Sequence, residues 1–275
     1  DGTVTELRFT DYFLGGTLPQ EFYCFYKVRI VWLELNYWLY GTISTYIGAL
    51  SELEQFDVGI TEFYGSIPSE IGSLQKLQLF YAYSNSISGL IPTEIGSPAL
   101  LQNIALHDSE IRGTLPREIG DLSLLEVLAV GDTYLHGPVP TELSNLKLLR
   151  HIQLEGTDLV GNLDPIFCLR DQGPVDVFYA DCGEQGEFES PVACSCCTLC
   201  CVEGQDCWSP RQFGPDPCYF GECVWCGDSR FAESCNRCLE TGDAGSVTTA
   251  EELCQASCEW DFDTATCRPR EDFES

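Results

Sequence analysis

Apolar residues recur at fixed spacings through the first two-thirds of the chain. In three successive stretches they occupy the same four relative positions, and each set lies 24 residues after the previous one. The sets are Leu101, Ile104, Leu106, Ile111; Leu125, Leu128, Val130, Leu135; and Leu149, Ile152, Leu154, Leu159. The middle two positions of each set alternate with period 2, as in Ile104 and Leu106, so each set predicts one brief strand.

A second phrase follows each predicted strand. It consists of glycine, any residue, an aliphatic residue, usually proline, two further residues, an apolar residue and often a second glycine, as in Gly113–Gly120. Its leading glycines are Gly16, Gly41, Gly65, Gly89, Gly113, Gly137 and Gly161. Their spacing is 25 residues once and 24 residues five times. The glycine permits a tight turn and the proline fixes φ, so the phrase predicts a sharp bend in each repeat.

One such short strand cannot bury its apolar face alone, whereas stacked copies form a parallel sheet along one side of a coil with a continuous core inside. A polar residue precedes the last apolar residue of each set. These ladder residues are Thr61, Asn85, Ser109, Thr133 and Thr157. A side chain that points inward there satisfies backbone groups of the turn. The second repeat, around Leu33, Leu35, Leu39 and Gly41, is out of register and has Ser44 where proline is expected.

These motifs resemble the plant-type leucine-rich repeat, LxxLxLxxNxLxGxIPxxIGxL, over about residues 1–180 as seven repeats. They also resemble extracellular repeat proteins of diatoms and related algae, in which threonine often replaces the ladder asparagine. The resemblance implies an α/β-type repeat solenoid with short parallel strands on the concave face and an irregular or 3-10 convex side. It further implies recognition of protein, peptide or glycan rather than catalysis.

In such a coil, the residues that flank the inward strand positions point outward on the concave face. One predicted column is Arg8, Glu34, Asp57, Tyr81, Ala105, Ala129 and Gln153. The next is Thr10, Asn36, Gly59, Tyr83, His107, Gly131 and Glu155. Exposed aromatic residues with polar neighbours are favoured binding anchors, although strands also favour tyrosine for packing alone. The predicted ligand-binding residues are Asp57, Tyr81, Tyr83, His107, Asp108, Gln153 and Glu155.

The net charge of −29 argues against nucleic acid as a partner, since phosphate binding requires basic patches. It is compatible with basic partners or with solubility alone. The sequence contains neither GxSxG nor HExxH, and we expect no enzyme activity, cofactor or metal. No apolar run reaches the 18 residues of a membrane-spanning helix. The chain begins at Asp1 and contains no methionine, so we expect that a secretion signal has been removed.

Cysteine usage divides the chain near residue 180, because 15 of its 17 cysteines lie between Cys182 and Cys267. Such crowding predicts an oxidising, extracellular compartment, with the protein secreted or at the cell surface. Residues 181–203 would form a disulfide cap over the last coil, as in the algal proteins that this segment also resembles; a metal–thiolate cluster is the alternative. The cap residues are Cys168, Cys182, Cys194, Cys196, Cys197, Cys200 and Cys201.

We expect residues 204–275 to form a small disulfide-rich module. The alternative to disulfides is zinc binding by the CxxC pairs 223/226 and 235/238. An odd cysteine count leaves at least one without an intramolecular partner. Cys24 is the candidate for an interchain bond, since a stiff coil keeps it far from Cys168.

Two functions follow from these features. The first is an extracellular recognition module that binds protein, peptide or glycan on its concave face. The second is a structural subunit of an extracellular matrix, sheath or filament that associates with other copies of itself.

Overall fold

The structure is a computed structural model that describes residues 4–169, 175–182, 192–200, 258–261 and 266–269. The chain divides into two compact units, Asp1–Arg211 and Gln212–Ser275. Cys201 and both CxxC pairs lie outside the described residues, as does most of the predicted module at 204–275. The predicted domain boundaries therefore stay predictions.

The first unit is the predicted leucine-rich-repeat solenoid. Its concave sheet contains nine parallel strands, in which each strand pairs with the equivalent strand of the next coil. These strands are β1 (Glu6–Arg8), β3 (Ile30–Trp32), β5 (Gln55–Asp57), β7 (Leu79–Tyr81), β9 (Asn103–Ala105), β11 (Val127–Ala129), β13 (His151–Gln153), β15 (Val177–Ala180) and β17 (Leu199–Cys200). The predicted inward residues, such as Ile104, Leu128 and Ile152, are buried here and align across neighbouring strands.

A second parallel sheet lies on the flank of the solenoid, between the concave sheet and the 3-10 side, and the sequence did not predict it. Its eight strands are β2 (Gly15–Gly16), β4 (Trp38–Gly41), β6 (Glu62–Gly65), β8 (Ser86–Gly89), β10 (Glu110–Gly113), β12 (Tyr134–Pro138), β14 (Asp158–Asn162) and β16 (Val192–Ala193). Each strand from β2 to β14 of this sheet ends at or near a leading glycine. At Gly113, φ is +91°, a conformation that only glycine adopts without strain.

Short helical turns form the third side of each coil. The 3-10 helices are η1 (Gln20–Cys24), η2 (Thr45–Ala49), η3 (Ser69–Ser73), η4 (Thr93–Gly96), η5 (Arg117–Asp121) and η6 (Thr141–Asn145), and a single π turn is η7 (Asp164–Cys168). A proline precedes η1 and η3–η6, as the repeat phrase predicts. Before η2 the Ser44 side chain accepts a hydrogen bond from the Tyr46 N–H at 3.2 Å, so serine caps this turn in place of proline.

The ladder residues hold the turns between the two sheets. Hydroxyl groups of Thr61, Ser109 and Thr133 donate to carbonyls three residues earlier, at 2.7–2.8 Å. Asn36 is a further ladder residue, which the sequence analysis misplaced on the concave face. Its side-chain amide donates to the carbonyls of Phe9 and Leu33 at 2.7 Å, and its side-chain oxygen accepts from the Leu14 N–H at 2.8 Å. Asn36 therefore joins two coils, whereas each of these hydroxyls bonds within one.

The last coil is covered by the cysteine-rich segment. Strand β16 extends the flank sheet beside β14, and β17 extends the concave sheet beside β15. Disulfides join Cys168 to Cys196 and Cys194 to Cys197, and Cys182 is also disulfide-bonded. The sulfur atoms lie within 4.8 Å of one another in two groups, Cys168, Cys194 and Cys196, and Cys182, Cys194 and Cys197. Metals bind cysteine as the thiolate, and all five of these residues are disulfide-bonded instead. The described part of the second unit is an antiparallel hairpin of β18 (Cys258–Asp261) and β19 (Thr266–Pro269).

No helix within the described part of the chain has the length and apolar character that a membrane crossing requires.

Candidate functional site

Two of the outward columns that strand register defines on the concave sheet contain most of the predicted site residues. Column A is Arg8, Trp32, Asp57, Tyr81, Ala105, Ala129, Gln153 and Tyr179. Two residues further along each coil, column B contains Glu34, Gly59, Tyr83, His107, Gly131 and Glu155. The predicted columns were wrong in the second coil, where Trp32 replaces Glu34 in column A and Glu34 replaces Asn36 in column B. The inward pair of the second coil is Val31 and Leu33, whereas the prediction took Leu33 and Leu35, an error of two residues.

Tyr83 lies flat on the concave face instead of standing out from it. A Cβ atom at Gly59 would lie 2.5 Å from the Tyr83 ring, so the ring occupies space that glycine leaves open. The Tyr83 hydroxyl donates to the Glu34 carboxylate two coils away. Tyr83 is only 5% exposed, which corrects the expectation of an exposed anchor at this position. The sequence did not predict this contact, because it placed Glu34 in column A instead of column B.

Tyr81 is the accessible aromatic residue of the predicted cluster. Its ring contacts Tyr83 edge to face with centroids 6.3 Å apart, and its hydroxyl accepts a hydrogen bond from the Asn103 amide at 3.1 Å. The two contacts hold the half-buried ring in place on the sheet. A ring fixed in this way loses little entropy when a partner covers it, which is a property of good binding anchors.

His107 stacks on Tyr83 with ring centroids 4.8 Å apart and an interplanar angle of 11°. Burial lowers the pKa of His107 to about 4, nearby Asp132 raises it in part, and His151 lowers it further. The imidazole is therefore neutral near pH 7. Its Nδ1 atom is buried without a hydrogen-bond partner among the described residues, so the stacked ring serves packing more than proton transfer.

Asp57 is a residue of column A whose ionisation the structure changes strongly. Burial and, to a smaller extent, the Glu34 carboxylate raise its pKa to about 7, against the opposing effect of the hydrogen bond from the Gly59 N–H at 2.9 Å. Burial also raises the pKa of Tyr83, with Glu34 and Asp57 adding to the shift, so its hydroxyl stays protonated. A neutral histidine, a protonated tyrosine and a half-ionised aspartate present a polar surface with adjustable charge.

Of the remaining predicted residues, Asp108 directly follows His107, whereas Gln153 and Glu155 lie farther along the solenoid. Asp108 has φ of +53° at the turn before the ladder residue Ser109, a position that the equivalent residues Ile60 and Ser84 share. Gln153 and Glu155 are both 4% exposed and lie two coils beyond Ala105 and His107. The Glu155 carboxylate covers Gly131, as Tyr83 covers Gly59. Between Tyr81 and Gln153, column A contains only the small side chains of Ala105 and Ala129.

Comparisons with solved structures agree with the solenoid fold. The leucine-rich-repeat ectodomain of the Arabidopsis thaliana receptor kinase GASSHO1/SCHENGEN3, in complex with CASPARIAN STRIP INTEGRITY FACTOR 2, is 31% identical, with a TM-score of 0.53 over 56% of this chain and 18% of that one. The PEPR1–AtPEP1 structure is 28% identical, with a TM-score of 0.56 over 58% of this chain and 22% of that one.

The plant peptide hormone receptor RGFR1 in complex with RGF2 is 26% identical, with a TM-score of 0.55 over 61% of this chain and 26% of that one. The chain thus spans about a fifth to a quarter of the length of these three plant receptor structures. No protein-family model matches the sequence, and no curated protein matches it either.

Proposed function

We propose that this leucine-rich-repeat solenoid is a non-catalytic, extracellular recognition module that binds a peptide or protein segment on its concave face. The observation that carries the proposal is column A, where Tyr81 and Gln153 flank the small residues Ala105 and Ala129. Strands in a sheet lie about 4.8 Å apart, so these small residues leave a shallow floor of about 10 Å along the solenoid. An extended segment fits such a floor, with Tyr81 as its anchor.

Two further observations support binding over catalysis. The described histidine at the centre of the cluster is neutral and stacked on a tyrosine, with no serine or cysteine nucleophile beside it in its column. The similar plant ectodomains include structures solved with peptide ligands, which is a property of those proteins and a precedent for this one. Disulfides in the cap support an oxidising, extracellular setting.

A paired screen tests the proposal. The whole chain and its Tyr81→Ala variant would be applied to arrays of peptides and of glycans, beside a Tyr134→Ala variant as the matched control. Tyr134 is 65% exposed on the flank sheet, so its removal takes away an aromatic surface without touching the concave face. We expect some ligands to bind the native chain and the control with similar affinity. The same ligands should bind Tyr81→Ala at least about 10-fold more weakly. Ligands that all three proteins bind equally would contradict concave binding.

Self-association is the second candidate, because Cys24 is an exposed free thiol at the end of η1. Multi-angle light scattering of the oxidised chain, with Cys24→Ser as the control, distinguishes the two functions. A monomer that binds ligand supports recognition. A disulfide-linked dimer that Cys24→Ser converts to monomer, or an ordered assembly built from such dimers, supports a structural subunit.

A further inference from the structure

A second surface with the character of a binding site lies on the flank sheet, on strand β4 and its neighbours. It is an open depression of about 720 Å³, and we call it the aromatic shelf. Its lining residues are Gly15, Gly16, Tyr37, Trp38, Tyr40 and Glu62. The three aromatic side chains are 51%, 60% and 48% exposed, respectively, so their ring faces are open to a partner.

The shelf coincides with the one irregular spacing in the repeat. In the second coil, the inward Leu39 follows the ladder residue Asn36 by three positions. In the regular third coil, the inward Phe63 follows Thr61 by two positions. The extra residue is accommodated in a turn closed by the Leu39 N–H, which donates to the Asn36 carbonyl at 2.9 Å. It adds Tyr37, an exposed aromatic residue at a position that has no counterpart in the regular coils. A local departure from an otherwise strict pattern is where function is expected.

The first coil supplies the floor and the back of the shelf. Gly15 pairs with Trp38 across the sheet, and a Cβ atom at Gly15 would lie 3.4 Å from the Trp38 Cβ. Gly16 has φ of +90° and open space where a side chain would project. Phe13 packs beside Trp38 with ring centroids 6.1 Å apart, and its φ of +56° is rare for a bulky residue. Such strain at an exposed position points to a functional constraint.

The chemistry of the shelf fits a cation. Aromatic faces attract guanidinium and ammonium groups, and the Glu62 carboxylate at the rim adds a formal negative charge. The solenoid already shows this pairing on its other sheet, where the Arg8 guanidinium lies 4.0 Å from the Trp32 ring. Among the described residues, no basic group covers Trp38, Tyr37 or Tyr40 in the same way. The net charge of −29 draws basic partners toward this surface.

We propose that the aromatic shelf binds an arginine side chain of a basic partner peptide. The planar guanidinium stacks on Trp38 and Tyr40 and hydrogen-bonds to the Glu62 carboxylate, while the aliphatic stem lies over the glycine floor. The site is separate from column A, so it adds a second contact to whatever the concave face binds. A bound protein that spans both faces gains affinity from the two sites together.

Nuclear magnetic resonance of the ¹⁵N-labelled whole chain tests the site through the Trp38 indole N–H, assigned by its loss in Trp38→Leu. The probe is the blocked tripeptide Gly-Arg-Gly, and the same tripeptide with citrulline replaces the guanidinium by a neutral group of similar shape. We expect a saturable shift with arginine and at least about 5-fold weaker binding with citrulline.

Matched variants assign the contribution of each group. Glu62→Gln and Tyr40→Leu should each weaken binding of the arginine tripeptide by about 2- to 5-fold. Glu110→Gln and Tyr134→Leu are the controls, because Glu110 begins β10 as Glu62 begins β6, and Tyr134 begins β12. Neither control should change the affinity.

Three results would overturn the proposal: no shift of the Trp38 signal, equal binding of arginine and citrulline, or equal losses in test and control variants. A saturable shift with the neutral oligosaccharide cellohexaose, and none with arginine, would also overturn it and would identify the shelf as a glycan site.

Discussion

At the scale of single residues, Asn36 shows how one side chain can stabilise a repeat array. It is fully buried and satisfies backbone groups of two coils, whereas the hydroxyl ladder residues bond only within their own coil. Buried polar groups that lose their partners cost about 1–3 kcal/mol each. The N-terminal coils therefore depend on Asn36 more than the later coils depend on any one ladder hydroxyl.

We expect Asn36→Ala to lower the free energy of unfolding by at least about 3 kcal/mol, because it leaves two carbonyls and one N–H without partners. Thr133→Ala, which removes one bond within a coil, should cost about 1 kcal/mol. Urea denaturation of both variants measures the difference. Equal losses would show that Asn36 does not join the coils.

Asp57 makes stability depend on pH. Its carboxyl is neutral in both folded and unfolded chains below pH 3.8, its ordinary pKa. Between pH 3.8 and about 7 the unfolded chain ionises while the folded chain stays neutral, so stability falls as pH rises. Asp57→Asn keeps an acceptor for the Gly59 N–H. We expect it to add on the order of 3 kcal/mol at pH 8 and nothing at pH 3.5.

Thermal or urea unfolding of Asp57→Asn and the native chain at a series of pH values measures this difference. His107 shifts in the opposite sense, since its lowered pKa makes stability rise between pH 4 and 6.5. Both proteins contain His107, so subtraction removes its contribution. A difference that stays constant with pH would show that Asp57 ionises normally in the folded chain.

At the scale of elements, close contact between successive 3-10 turns depends on small residues. A Cβ atom at Gly120 in η5 would lie 2.5 Å from the Glu142 carbonyl oxygen of η6, which is backbone and cannot move aside alone. The equivalent Gly48 in η2 has more room, since its Cβ atom would lie 3.2 Å from the Glu70 Cβ. The second glycine of the repeat phrase therefore sets how closely these coils stack.

We expect Gly120→Ala to destabilise the chain by about 2 kcal/mol, in the range of overpacked cores, and Gly48→Ala to change stability by less than about 1 kcal/mol. Chemical denaturation of the two variants compares them directly. If both substitutions prove neutral, the turns stack more loosely than the structure shows.

The strands of the concave sheet follow directly from the sequence, because their inward residues alternate with period 2 and recur every 24 residues. The flank sheet was not predicted, since each of its strands buries at most two residues, such as Phe63 in β6, and these look like isolated apolar positions in the sequence. Glu34 was also absent from the predicted site, because its column could not be assigned from the sequence. One inserted residue in the second coil moves side chains between columns, and only the backbone pairing reveals it.

At the scale of the whole molecule, the cap and the coils form one stack, in which each coil contacts mainly its neighbours. The Cys168–Cys196 disulfide ties η7 to the cap across 28 residues of sequence. Stability in such arrays is a sum of local terms, so the cap should protect the last coils more than the first.

We expect the double variant Cys168→Ser and Cys196→Ser to lose about 3–4 kcal/mol, the loop-closure value for that separation. Hydrogen exchange should show β13 and β14 losing protection before β5 and β6. Uniform loss across all coils would indicate that the solenoid unfolds as one cooperative unit.

The central claim is that the concave face binds the partner with Tyr81 as the anchor, which brings the bound segment over Asp57, the neighbour of Tyr81 in column A. Calorimetric titration of a ligand selected by the paired screen, at pH 7 in two buffers of different ionisation enthalpy, tests it most directly. A ligand that covers Asp57 changes the pKa of this carboxyl, which lies at about 7, so binding must take up or release protons. We predict a proton count that is nonzero for the native chain and smaller for Asp57→Asn. Identical proton counts for the two proteins would contradict the claim.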